Sequence, residues 1–171
     1  QKCAEIRNRI SISSDGVSTP LLDIQIIGDF SMRLRGKKIL AQKDLSALQR
    51  ELIGLLISSP GLSIGQEQVQ LAFWPDNAPD KARNSLDTLT HRLRKVLKDR
   101  LPVPAACYFL VGKGFIQLTN VRVDAVEFVT QAQNGLKLAR QELWWQAGNA
   151  FINAFSFWKN FTHTELFISD Q

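Results

Sequence analysis

The chain of 171 residues contains 44% hydrophobic and 22% charged side chains, which are ordinary values for a globular protein that buries a core. No apolar run approaches the roughly 20 residues of a membrane-spanning helix, and no signal-peptide pattern opens the chain. Cys3 and Cys107 lie far apart and do not form a metal-binding pair. We therefore expect a cytoplasmic protein that binds no membrane. Because the chain begins with Gln1 rather than Met, we also expect a fragment or a processed product.

The net charge of +5 is concentrated in one short segment. Residues 81–100 carry seven basic and two acidic side chains, whereas residues 1–80 carry nine of each sign and residues 121–171 sum to −1. A basic stripe on one element is typical of a surface that binds a polyanion. A solvated helix face would carry the same charge, so charge alone does not decide between the two.

The first predicted elements are short strands. Residues 1–20 are polar and are interpreted as a tail or a linker. Hydrophobic and polar side chains then alternate over residues 22–34, and Gly36 marks a turn into a third apolar run at residues 38–40. This pattern predicts a small antiparallel sheet with one buried face.

Helical spacing follows the sheet. Leucines predict a first helix over residues 45–56, and a shorter helix is predicted over residues 66–73. Asn77 as N-cap and Asp80 three residues later predict the start of a third helix over residues 77–99. An apolar stripe follows this helix for about four turns: Ala82, Leu86, Leu89, Leu93, Val96 and Leu97.

The opposite face of helix 77–99 is polar and cationic. At about 100° per residue, the centre of this face holds Asn84, Asp87, His91, Lys95 and Lys98. One flank holds Lys81, Thr88 and Arg92, and the other flank holds Arg83, Thr90 and Arg94. Arg, Asn and Thr are among the residue types that contact base edges in DNA.

Two β-prone runs, residues 107–111 and 115–118, follow the third helix and are joined by Gly112-Lys113-Gly114, which predicts a hairpin. A sheet, three helices and a glycine-tipped hairpin are the layout of a winged helix-turn-helix. We therefore predict an α+β domain over residues 21–120, with an N-terminal antiparallel sheet, three helices and a C-terminal hairpin wing.

The same segment resembles a known family. The resemblance runs from about Leu22 to Leu118 and is with the winged-helix effector domain of OmpR/PhoB-type response regulators, more closely with activators of the antibiotic-regulatory-protein type. It is carried by these stretches: "LDIQIIGDFSMRLRGKKIL", "LAFWPDNAPDKARNSLDTLTHRLRKVL" and "YFLVGKGFIQL". It implies a transcriptional regulator, and within the family an activator.

Residues 121–171 resemble the start of the all-α, tetratricopeptide-like bacterial transcriptional activator domain that follows the winged helix in those activators. The stretches that carry this resemblance are "VDAVEFVTQAQNGLKLA" and "AGNAFINAFSFWKNFTHTELF". Two helices are predicted from their apolar stripes: Val126, Val129, Ala132 and Leu136 in the first, and Leu143, Ala147, Phe151, Ala154, Phe155 and Trp158 in the second. Since repeat helices need neighbours to cover their faces, we expect the exposed aromatic side chains to contact a partner surface.

The resemblance also implies a set of DNA contacts, with helix 77–99 in the major groove. Arg92 is expected to contact a base, with guanine as its expected partner, while Asp87 suits a cytosine amino group and Thr88 a thymine methyl. Backbone phosphate contacts are implied for Trp74, Asn84, His91 and Arg94. Lys95 and Lys98 are assigned from helix geometry alone, and Lys113 at the hairpin tip is expected to approach the minor groove. Family members often carry Arg where this chain has Val111, a departure that weakens minor-groove readout by the wing.

Structural alternatives exist for several of these residues. Arg94 could pair with Glu51, Asp87 could bond a neighbour one helical turn away, and Trp74 could act first as a core anchor. His91 has no partner at metal-ligand spacing, so no metal site is predicted.

Other functions receive less support. The chain contains no nucleotide-binding loop, zinc-protease motif or serine-hydrolase elbow, so neither an enzyme nor a cofactor is predicted. The alternative function is a protein-interaction module built on a winged helix that binds no operator. RNA binding lacks the exposed stacking aromatics of RNA modules. The expected partner is double-stranded DNA, and RNA polymerase, a second copy of the chain and an upstream regulatory domain are left open as further partners.

Overall fold

The computed structural model describes residues 19–158 and shows a mixed α+β fold. The helices are α1 (Ala47–Ser58), α2 (Gln66–Phe73), α3 (Pro79–Arg100), α4 (Asp124–Arg140) and α5 (Trp144–Phe155). The strands are β1 (Leu22–Gln25), β2 (Ser31–Leu34), β3 (Lys37–Ala41), β4 (Ser63–Gly65), β5 (Phe109–Val111), β6 (Phe115–Leu118) and β7 (Val121–Val123). Residues 1–18 of the tail or linker predicted over residues 1–20 lie outside the described residues, as do residues 159–171 of the predicted activator segment. No helix within residues 19–158 is long and apolar enough to cross a membrane.

The N-terminal sheet has the strand order β3-β2-β1-β7. Strands β1, β2 and β3 are antiparallel, as predicted, and the β2–β3 turn uses positive φ angles of 51° at Arg35 and 79° at Gly36. A fourth strand, β7, was not predicted and joins the sheet in parallel beside β1. An ion pair of 2.6 Å between Arg122 and Asp23 ties β7 to β1 on the outer face of the sheet. The boundary predicted at residue 120 therefore precedes a strand of this sheet.

The three central helices follow the predicted pattern. The second coincides with α2, and Ser46 begins α1 as N-cap, in a reciprocal capping box with Gln49. The third begins two residues later than predicted, and Asn77 is not its N-cap. Ala78 precedes Pro79 in an extended conformation, because the proline ring excludes helical geometry from the residue before it. Within α3 these side chains are buried: Ala82, Leu86, Leu89, Thr90, Leu93 and Leu97.

The second sheet has the order β4-β6-β5 and contains the predicted hairpin wing. The first wing strand begins at Phe109 rather than Cys107, which lies in a short 3-10 turn. Strand β4 was not predicted. It pairs with β6 from Ser63 to Gly65 and leads directly into α2, so the wing is anchored on the helical layer.

Helices α4 and α5 form an antiparallel hairpin attached to the first sheet. The Asp124 carboxylate at the start of α4 accepts backbone N–H bonds from Ile26 at 2.9 Å and Ile27 at 3.0 Å. The two helices approach closely where the Phe151 ring packs over Gly135. The helix predicted from the first apolar stripe is present as α4, and three members of that stripe, Val126, Val129 and Leu136, are exposed. The close contact between α4 and α5 is made at the small residue Gly135, whereas these three larger side chains of α4 remain exposed.

Candidate nucleic-acid interface

Helix α3 separates a buried side from a charged one. The exposed side chains predicted to contact DNA all lie on one side of the helix: Asn84, Asp87, Thr88, His91, Arg92, Lys95 and Lys98. Their separation from the leucine stripe follows from the helical repeat of 3.6 residues. Because the leucines fix the helix in the core, the exposed side chains are presented on a rigid support.

Four of the predicted residues meet in one shallow cleft of about 380 Å³. It lies between the start of α1, the end of α2 and the middle of α3. Its lining consists of Ser46, Leu48, Gln49, Trp74, Asn84, Ser85, Thr88, Leu89 and Arg92. Trp74 is half-buried and packs edge-on against Phe73 at 5.6 Å between ring centroids, so its structural role and its place in the cleft coexist.

The cleft adds residues that the sequence-based prediction missed. Ser46 and Ser85 bring hydroxyl groups to the same concavity as Arg92. The Ser-x-x-Gln pattern at Ser46 is a capping-box signature and marks the start of a helix, but it does not indicate that this helix end meets α3. Only tertiary packing brings the two together.

The remaining predicted residues occupy different surroundings. The Thr88 hydroxyl donates to the Asn84 carbonyl at 2.9 Å, which leaves its methyl group as the group available for an apolar contact. Arg94 is only half-exposed, and its Nε atom is buried without a hydrogen-bond partner in the described part of the chain. The alternative pairing of Arg94 with Glu51 is not formed within residues 19–158.

Lys113 lies apart from this cluster, exposed at the tip of the wing between Gly112 and Gly114. Gly114 has a φ angle of +81°, which the turn requires and a larger residue resists. The structure therefore divides the predicted site into a face on α3 and a single cation on the wing.

A second group of cations lies on the N-terminal sheet. The β2–β3 hairpin exposes Arg33, Arg35, Lys37 and Lys38, and Arg33 is opposite Lys38 across the strands. The zero net charge of residues 1–80 conceals this cluster, although the sequence "RLRGKK" would have shown it. By contrast, Arg100 at the end of α3 is paired with Asp44 at 3.3 Å. No group of three or more potential metal ligands occurs in the part of the chain described.

No protein-family model matches the chain, and no curated protein matches its sequence. Its fold is similar to that of a solved structure, Mycobacterium tuberculosis EmbR in complex with low affinity phosphopeptide, at a TM-score of 0.62 and 20% sequence identity. The similarity covers 82% of this chain and 36% of the EmbR chain, so this chain spans only about a third of that protein. The fold of this chain, with its sheets, helices and hairpin, is thus similar to part of a known structure.

Proposed function

We propose that the chain is a sequence-specific, double-stranded-DNA-binding transcriptional regulator that places α3 in the major groove. The observation that carries the proposal is the exposed side of α3, where Asn84, Thr88 and Arg92 line one cleft while Lys95 and Lys98 continue the cationic surface. An α-helix fits the major groove, and these residue types supply both base and phosphate contacts. The similarity in fold to EmbR supports a regulator of this general kind.

Within this proposal the side chains of α3 have separate roles. Arg92 contacts a base with its guanidinium, Asp87 accepts from a cytosine amino group, and the Thr88 methyl contacts a thymine. Phosphate contacts come from Trp74, Asn84, His91, Arg94, Lys95 and Lys98. Lys113 on the wing approaches the neighbouring minor groove, where it neutralises a phosphate at the edge of that groove. No catalytic step, cofactor or metal is part of the function. Residues 21–120 form the DNA-binding domain in this proposal, and residues 121–171 begin a tetratricopeptide-like activator domain of a cytoplasmic protein.

Selection of duplexes from random-sequence DNA, followed by affinity measurements on the preferred site, tests the proposal. Arg92→Ala should lose about 1–3 kcal/mol on that site and flatten the preference at one base pair. Lys98→Ala is the matched control, since it should weaken binding to all sequences alike. If the two variants lose equal affinity on every sequence, α3 does not read bases.

The second candidate is a protein-interaction module, and one observation favours it. Helix α5 exposes 68% of Trp144, 80% of Trp145 and 66% of Phe155, a concentration of aromatic surface that is typical of partner-binding sites. The two candidates differ in their response to salt. A module that docks a partner through aromatic surface shows no affinity for duplex DNA, whereas the proposed regulator binds DNA with a steep salt dependence.

A further inference from the structure

The turn at the tip of the wing is bonded to the helical layer by Gln66, the first residue of α2, beside the pairing of β4 with β6. The Gln66 side-chain amide donates to the Gly112 carbonyl at 3.0 Å, and its backbone N–H donates to the Gly114 carbonyl at 2.9 Å. These two carbonyls belong to the residues on either side of Lys113. One residue therefore holds both sides of the wing tip.

The turn is also closed from within the wing. The Gly112 N–H donates to the Phe115 carbonyl at 3.0 Å, and the Phe115 ring lies against Gly112 so closely that an added Cβ would be 2.3 Å from it. Phe115 in turn pairs with Gly65, the residue that precedes Gln66. The tip is thus packed on one side by Phe115 and hydrogen-bonded on the other by Gln66.

The same helix connects the wing tip to the cleft beside α3. Helix α2 has eight residues, so its axis is about 12 Å long. Gln66 lies at one end, and Trp74, which lines the cleft with Arg92, caps the other. Val69 is fully buried in the common core, which prevents α2 from moving independently.

We propose that Gln66 is a positioning residue that holds Lys113 at a fixed distance from the cationic side of α3, so that the wing and the helix engage the DNA backbone as one preorganised surface. This inference rests on the proposed function. Its physical basis is that ordering a mobile lysine-bearing turn on binding would cost conformational entropy, whereas a turn already held by Gln66 loses little. The residue itself does not touch DNA.

Four variants of the full chain test the inference. Gln66→Met keeps the length of the side chain and removes its donor, and Lys113→Ala removes the cation; the third variant combines both changes. Gln68→Ala is the matched control, because the Gln68 side chain accepts from the Gly65 N–H at 3.2 Å in the same turn of α2 without contacting the wing tip. Two quantities are measured: affinity for duplex DNA as a function of salt, and the NMR order parameter of the Lys113 backbone amide in the protein without DNA.

Gln66→Met should lower the order parameter at Lys113 from the value of about 0.85 that marks rigid backbone, and Gln68→Ala should not. The loss of one hydrogen bond should weaken DNA binding about 2- to 10-fold. The double variant should bind no more weakly than Lys113→Ala, since Gln66 acts only through that lysine.

Two results would overturn the inference and leave the proposed function intact. One is an unchanged order parameter and affinity in Gln66→Met; the other is a double variant whose loss equals the sum of the two single losses. If the unaltered chain shows no salt-dependent affinity for duplex DNA, the proposed function fails and the DNA role of Gln66 fails with it. The order parameter still reports whether Gln66 holds the wing tip, so the two failures are distinguishable.

Discussion

The salt dependence of DNA binding gives a quantitative test of the interface. Four cations are assigned to phosphates: Arg94, Lys95, Lys98 and Lys113. Arg92 is omitted because it is assigned to a base, and Arg100 because Asp44 pairs with it. Each neutralised phosphate releases condensed counterions and contributes about −0.9 to the slope of log K against log salt concentration. The expected slope is therefore about −3.6, which lowers the affinity roughly 150-fold between about 50 and 200 mM salt.

Single substitutions show how much each cation contributes to this slope. Lys98→Ala removes one phosphate contact, so the slope should fall to about −2.7 and the loss of affinity over the same salt range to roughly 40-fold. Lys38→Ala is the control, since Lys38 is equally exposed but lies on the outer face of the N-terminal sheet. Its slope should remain at about −3.6.

Fluorescence anisotropy of a labelled duplex, titrated at five or more salt concentrations, measures these slopes. A flat plot for the unaltered chain would refute DNA binding. Equal reductions by Lys38→Ala and Lys98→Ala would refute the confinement of the phosphate contacts to α3 and the wing, and would indicate that the basic β2–β3 hairpin also contacts the phosphate backbone.

Two further predictions concern stability and are read from denaturant or thermal unfolding. Gly135→Ala should destabilise the protein by about 1–2 kcal/mol, because the new Cβ would lie 2.7 Å from the Phe151 ring. In Gly148→Ala the new Cβ meets nothing within 4 Å, so this variant should stabilise the protein by up to about 1 kcal/mol. Destabilisation by both variants would contradict the reasoning. Burial raises the pKa of Tyr108, whose hydroxyl donates to the Pro20 carbonyl at 2.6 Å, so the native state keeps this proton at a pH where the unfolded chain loses it. The free energy of unfolding should therefore fall as the pH rises above about 10, and less so in Tyr108→Phe; identical pH profiles would refute this.

The sequence predicted the elements whose hydrophobic period is long enough to be distinctive. Helix α3 has its leucine stripe at helical spacing over most of its length, and the structure buries Leu86 and Leu93 as predicted. Strands β4 and β7 have three residues each and show no such period. They become strands because partner strands supply hydrogen bonds, and the spacing of residues in the sequence does not indicate which segments will pair.

The candidate site was predictable in part for the same reason. The exposed side of α3 follows from the period of one helix, so its residues could be named from the sequence. The cleft and the wing tip depend on the packing of distant segments: Ser46 and Arg92 line the same cleft, and Gln66 bonds a carbonyl 46 residues away. The face on which α4 packs was not predicted, because it depends on Gly135 and the alanines of α5, which allow the two helices to pack more closely than larger side chains would.

Substitutions on α3 and substitutions near the wing tip should affect the proposed interface in different ways. Side chains such as Arg92 and Lys95 project from a helix held by leucines on its other side, so replacing them should alter DNA affinity and leave the fold intact. Lys113 depends instead on hydrogen bonds that Gln66 makes from another element. A change in sequence preference can therefore arise on α3 without moving the wing, whereas a change at the start of α2 alters the distance between the two contacts. Under the proposed function, α3 would determine which bases are read, and α2 would determine how the wing and the helix are spaced on the DNA backbone.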